Sequence, residues 1–443
     1  MNYRSRLVAS FLLALLTACA HLQPRPDLPA ESALLPGEDA PLDRATVALE
    51  AAHSGESAFR LVSEGTEAFV SRMQSARQAM RSLDIQSYIW HADLTGTFFA
   101  HELLLAADRG VRVRLLLDDM DARGKNDAIA ALAAHPRIDV RLFNPFASRR
   151  GTFGFIGEGI ASFNRINRRM HNKSWIADNR LAIVGGRNVG DEYFGASDEV
   201  NFIDLDFALV GPVVRDASAS FDKYWNSPSA YPIEVLDPGA VTNDALDRLR
   251  GELQAHVEQT KHSRYAEALR ANEAIKRMLT GDWPMQWSAN YRFVADDPLK
   301  VTMQKREAQR THVAAALLPL VEGVESQLSI ISPYFVPGEH GTPILTGVAR
   351  RGKHVRVLTN SLVANDVAAV HGGYSRYRKT LLENGVQLWE LKPLSGGTNA
   401  SMFGSSGASL HTKAFVIDGR TLFVGSYNLD PRSTWLNCEQ GVL

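Results

Sequence analysis

Cysteine is nearly missing from this chain. Its 443 residues carry two, Cys19 and Cys438, too few for a disulfide framework or a thiolate zinc site. A charge of one sign is missing as well. Lysine and arginine number 48 against 49 aspartates and glutamates, a net of −1. No overall basic field is therefore available to recruit nucleic acid. The apolar run near the start, Leu7 to Leu16, is too short to span a bilayer comfortably. What is plentiful is core material: 45% of residues are hydrophobic, and the length suits two ordinary domains.

The first residues read MNYRSRLVASFLLALLTACA. Arg4 and Arg6 precede the short apolar run, and Leu16-Thr17-Ala18-Cys19 follows it, an arrangement that resembles the lipobox of bacterial lipoproteins. The resemblance implies a signal peptide over 1–18, cleavage before Cys19, and lipidation of that cysteine. Several acyl chains on one residue anchor a protein stably. Ala20, standing where an aspartate would hold the protein at the inner membrane, points to the outer membrane. Residues 19–54 are rich in Pro, Ala and Glu without a sustained period and read as a flexible tether.

From about Phe59 the pattern becomes α/β. An apolar stripe of Phe69, Met73, Ala76 and Met80 predicts a helix leading into the strand LDIQSYIW. A second helix, Thr95 to Ala107, ends at Arg109-Gly110. VRVRLLLDD then alternates and turns fully apolar, as a buried parallel strand does. A helix over Asn126–Ala134 and the strand IDVRLF follow. The run GTFGFIGEGIASFNRINRR reads either as a lip against lipid or as a plain loop.

This order then recurs. VESQLSIISPYFVPG matches the LDIQSYIW strand, ILTGVARRGKHVRVLTN matches LLLAADRGVRVRLLLDD, and VQLWELKPL matches IDVRLFNPF. A repeat of this size predicts an α/β fold of two similar lobes around mixed, largely parallel sheets, related by a pseudo-two-fold axis. The lobes are expected at 55–230 and 301–443, joined by a charged helical connector over 231–300. After WLNCEQGVL the second lobe has no counterpart of GPVV and its helix, and it is expected to be C-terminally incomplete.

Both lobes carry the same box. His171, Lys173 and Asp178 are spaced as His411, Lys413 and Asp418 are, and small-residue turns leading to Asn188 and Asn428 follow. Residues i and i+2 of an extended strand share a face, so each His–Lys pair points one way. Lysines and asparagine amides hold phosphate oxygens and leave an imidazole free for chemistry. Two such half-sites supply one nucleophile and one proton donor.

The duplicated HxKx4D box resembles that of the phospholipase D superfamily. INRRMHNKS, VGGRNVGDEYFG, DLDFALVGPVV and VAAVHGGYSRYRK are similar to bacterial cardiolipin synthases, especially their C-type branch. The resemblance implies catalysis by His171, Lys173, His411, Lys413, Asn188 and Asn428, with Asp178 and Asp418 as box members making hydrogen bonds at a turn. It implies His171 as the nucleophile, a phospho-histidine intermediate, and neither cofactor nor metal. Carboxylates on the strand after each box, Asp204 and Glu439, are expected to orient the imidazoles, with Asp206 as runner-up to Asp204. His371, Tyr374, Tyr377 and Arg378 read either as head-group contacts or as a packing face. Arg165, Arg168 and Arg169 read as an attraction for anionic lipid or as a solvated basic face.

The implied activity is transfer of a phosphatidyl group to phosphatidylglycerol at a membrane surface, with phosphatidylethanolamine as a further substrate, in the periplasm-facing cell envelope. A hydrolytic phospholipase D is the alternative. A nuclease of the same superfamily and a non-catalytic lipid-binding lipoprotein stand behind it.

Overall fold

A computed structural model describes residues 22–122, 125–147, 163–303, 313–365, 367–392 and 407–443. The leader, Cys19 and most of the Gly/Phe-rich run lie outside them. Among the described residues no helix is long and apolar enough to cross a membrane.

The first lobe is built on a nine-stranded sheet. Its strands in chain order are β1 (Ser57–Val62), β2 (Ser82–Ser87), β3 (Arg112–Asp118), β4 (Ile138–Phe143), β5 (Ser174–Ala177) and β6 (Leu181–Gly185). After β7 (Val200–Ile203), which stands outside it, come β8 (Asp206–Val210), β9 (Ala230–Pro232) and β10 (Gln286–Ser288). The second lobe contributes β11 (Phe293–Ala295), β12 (Gln327–Ile331), β13 (His354–Asn360), β14 (Gln387–Leu391), β15 (Gly407–Leu410), β16 (Ala414–Ile417), β17 (Thr421–Gly425) and β18 (Gln440–Val442).

The central order β8-β6-β5-β2-β3-β4 of the first sheet is repeated as β18-β17-β16-β12-β13-β14 in the second. Both sheets are mixed, but the expectation that they are largely parallel is corrected. Only β2-β3-β4 and β12-β13-β14 pair in parallel. The box strand and its successor, β5-β6 or β16-β17, are antiparallel hairpins, because the tight turn at Asp178 or Asp418 reverses the chain at once.

Local chemistry sets the helix ends. Asp93 caps Leu94–Asp108 by accepting from the Gly96 N–H at 3.0 Å. Gly110, at φ 94°, turns the chain out of that helix. The stripe ending at Met80 overshoots, since its helix stops at Gln78. The Asp178 carboxylate accepts instead from the N–H groups of Met80, Arg81 and Ser82, diverting them into β2.

One further expectation is corrected. Part of the stretch read as a tether is bound to the first lobe. Glu31 pairs with Arg141, Pro41–Ala52 is helical, and buried Asp43 ties Arg81 and Arg180 together. The connector is helical over Asn243–Thr260, Arg264–Ala271 and Glu273–Leu279. It then supplies edge strands β10 and β11, one to each sheet. Leu246, Leu249 and Leu253 of its first helix enter the core of the first lobe.

A separate core cluster joins the lobes. It places Met170, Ile176, Val184 and Phe207 with Ala414, Val424, Cys438 and Val442. Two backbone junctions flank it: β7 pairs in parallel with β15, and Met170 bridges to Cys438.

Candidate active site

Both His–Lys pairs lie in extended chain just ahead of β5 and β16, and all four side chains are buried. The His171 N–H donates to the Cys438 carbonyl at 2.9 Å, and the His411 N–H donates to the Ile203 carbonyl at 2.8 Å. The residues that follow those carbonyls are Glu439 and Asp204. His171 Nδ1 lies 2.9 Å from Glu439 Oε2, and His411 Nδ1 lies 2.6 Å from Asp204 Oδ2. Asp204 and Glu439 are therefore orienting partners, but each serves the histidine of the opposite lobe. Pairing within a lobe, on the strand after each box, is corrected. The cause is the two lobe junctions, which put Ile203 beside His411 and Cys438 beside His171.

Small residues in the turns make room for this. A Cβ on Gly186 would lie 2.2 Å from Asp204 Oδ1, and one on Gly425 would lie 2.2 Å from the Gln440 carbonyl oxygen. Ser426 Oγ donates to Glu439 Oε2 at 2.5 Å, and the Ser426 carbonyl lies 3.2 Å from His171 Nδ1. Asn188 Nδ2 donates to the Tyr193 hydroxyl at 2.8 Å, and the Tyr193 ring packs edge-on against His411 at 5.1 Å. Asn428 is buried on the turn that touches His171. The Oδ1 atoms of both asparagines lack a partner among the described residues. Buried polar atoms are seldom left so.

The two boxes form one electrostatic unit. Burial lowers the pKa of His171 to about 4; Glu439 pulls it up, while Lys173 and Lys413 press it down. Burial lowers His411 to about 3; Lys413 and Lys173 press it down, and Asp204 opposes them. Lysine from each box thus acts on the histidine of the other. Lys173 is lowered well below its ordinary value by burial. Burial raises Glu439 and Asp204, but the histidine and lysine charges outweigh it and both carboxyls end below the usual range. With Nδ1 of each ring committed to a carboxylate, both Nε2 atoms are left for a substrate.

Asp178 and Asp418 are not at the reacting centre. Asp418 accepts from the N–H groups of Glu325, Ser326 and Gln327, repeating what Asp178 does ahead of β2. Both sit at positive φ, 52° and 54°. Asp206 is engaged with Arg72 and Arg187. The three arginines beside the first box are framework. Arg165 donates to Asn144 and Pro145, Arg168 to the carbonyls of Lys300 and Met303, and Arg169 to Asp118. Tyr374 packs on Phe335 and donates to Glu390; Arg378 pairs with the same carboxylate. These contacts are those of a packing face.

Sequence reasoning missed the aromatic walls. Tyr88 lies edge-on to His171 at 5.1 Å with Lys173 Nζ 5.2 Å from its ring, and Phe202 stacks on His411 at 5.2 Å. Tyr88 directly follows β2, beside the start of β5, and that adjacency was the available signal. Asp118 was missed too. It accepts from the Met170 N–H at 2.8 Å, and burial raises its carboxyl to about 6. His91, Asp93 and Glu192 place one ligand atom each within 4.8 Å of one another. Asp93 is already the helix cap, and Glu192 holds the His91 pKa up by a hydrogen bond, so the group is satisfied internally.

Two histidine–lysine boxes with crossed carboxylates define a phospholipase D-like enzyme. The family described as cardiolipin synthase, PLD-like domain, matches residues 70–225 and 318–443. Cardiolipin synthase C of Escherichia coli (strain K12) is 42% identical over 406 residues, covering 90% of this chain and 84% of that protein. An uncharacterized protein of Helicobacter pylori is 33% identical over 390 residues, 87% of this chain and 76% of the other. The fold is shared with phosphatidylserine synthase of Haemophilus influenzae Rd KW20, at TM-score 0.57 and 15% identity over 90% of this chain and 86% of that one. The chain belongs to the cardiolipin synthase family of the phospholipase D superfamily, a phosphatidyltransferase of the C-like branch.

Proposed function

We propose that the protein moves a phosphatidyl group from a donor phospholipid to the free hydroxyl of phosphatidylglycerol, through a phospho-histidine intermediate. The observation that carries this is the crossed pair: two buried imidazoles, each held at Nδ1 by the opposite lobe, with the lysines of both boxes acting on each. His171 Nε2 attacks phosphorus as the bond to the leaving alcohol breaks, and His411 gives that alkoxide its proton. The neutral His411 then takes the proton of the incoming hydroxyl, whose oxygen attacks phosphorus. The P–N bond breaks and the His171 lone pair returns. Lys173 and Lys413 neutralise the phosphoryl oxygens throughout. Phosphatidylethanolamine is included among the donors.

The same reading places the protein at a membrane surface. Lipidation at Cys19, with the folded part facing the periplasm and the anchor in the outer membrane, follows from the leader sequence. Supporting it at the site, Leu362 and Val363 are 57% and 82% exposed. They lie on the loop whose Ala364 carbonyl accepts from Ser409 Oγ, beside His411. An apolar rim suits insertion among lipids.

The test is lipid extraction from cells expressing the full-length protein or its His411→Ala variant. Cardiolipin should rise with the intact protein and not with the variant, a loss of roughly 10³-fold or more in turnover. Phosphatidic acid as the product instead would make the enzyme a hydrolase.

A further inference from the structure

Behind the Tyr88 wall lies a cavity of about 270 Å³. It is bounded by β3 and by the helices Leu94–Asp108, Asn126–Ala133 and Asn243–Thr260. Ala100, Leu115, Leu117, Ile129, Leu132 and Leu253 line it. Its lining is mainly apolar, with Thr97, Asp118, Glu252 and His256 among its polar members. Asp121 and Lys125 pair with each other at 2.5 Å, and His256 keeps an Nε2 without a partner among the described residues.

The position of the cavity is informative. Leu115 and Leu117 point to it from β3, while Leu116 between them enters the lobe junction. Tyr88 and Asp118 belong to its lining. Tyr88 is also the ring against His171 and Lys173, and Asp118 holds the N–H of Met170 next to that histidine. One aromatic side chain therefore separates a phosphate site from an apolar slot of the right chemistry for hydrocarbon. In a diacyl phospholipid the acyl chains begin a few bonds from phosphorus.

We propose that this cavity takes one acyl chain of the phospholipid whose phosphate lies between His171 and His411. The proposal rests on the phospholipid reading of the site. It makes the connector helix Asn243–Thr260 part of substrate recognition, since Leu249 and Leu253 close one side.

The experiment uses the purified full-length chain in detergent micelles with a phosphatidylglycerol whose palmitoyl chain carries a diazirine near its methyl end. After photolysis, adducts are mapped by peptide mass spectrometry. They should concentrate on 94–108, 126–133 and 243–260. Unlabelled long-chain phosphatidylglycerol should compete, and the dihexanoyl lipid should not. Ala100→Phe, which fills the slot, should cut labelling of these segments about tenfold at an unchanged melting temperature. Should that variant fail to fold, the adduct map and chain-length competition on the unaltered protein decide alone. Adducts confined to other segments, or competition blind to chain length, overturn the proposal. Lipid turnover is assayed in parallel. Labelling of the slot without turnover would sink the transferase reading and leave the cavity assigned; turnover without labelling there would do the reverse.

Discussion

At the scale of single residues, the carboxylates fix what each imidazole can do. Replacing Glu439 or Asp204 by its amide keeps the shape and removes the charge that holds the ring in one tautomer. Glu439→Gln and Asp204→Asn should each lower kcat by roughly 10²- to 10⁴-fold with KM little changed, measured on protein whose melting curve shows it folded. Both imidazoles lie below the ordinary 6.5, at about 4 and 3, so both rings are neutral near pH 7. An anion between the lysines favours the charged imidazole and raises these values. Binding of tungstate at pH 6 should therefore take up as much as about one proton, read by calorimetry in buffers of different ionisation heat. Zero uptake would contradict the assignment. The same shifts govern acid stability. Between pH 6.5 and about 3 the unfolded chain binds protons that the native histidines refuse. Stability therefore falls as pH drops from 6.5, and this loss levels off below the folded values. The melting temperature should track that window.

At the scale of elements, the turn aspartates organise the strands that carry the site. Asp178→Ala strips three N–H groups at the start of β2 of their shared acceptor and should cost roughly 2–4 kcal/mol, seen in denaturant unfolding. Activity per folded molecule should hardly change, unlike that of the histidine variants. Much at this scale was legible. Helix Leu94–Asp108, β2, β3 and β4 follow from period and capping, because each signal is local. The box residues were legible because they occur twice. The crossing of Asp204 and Glu439 was not, since nothing in either half's spacing states which lobe its strand end will meet. Arg165 and Arg168 look basic in sequence, yet they donate to backbone carbonyls and, for Arg165, also to the Asn144 side chain. Composition does not reveal whether a charge faces water.

At the scale of the whole molecule, the lobes are joined by packing and by reciprocal backbone contacts, and Cys438 sits at the joint. It is wholly buried, and burial pushes its thiol well above the ordinary range. Labelling of Cys438 by a thiol reagent should run at least about 10³-fold slower than that of a free peptide thiol and keep pace with global unfolding. Rapid labelling in native protein would mean that the lobes part on their own.

The exchange of carboxylates also constrains how the two halves can vary over time. A substitution near Cys438 is felt at His171, more than 250 positions earlier (438 − 171 = 267), and one near Ile203 is felt at His411. Compensating changes should therefore be sought in the opposite half of the gene, and neither half can drift while the other stands still.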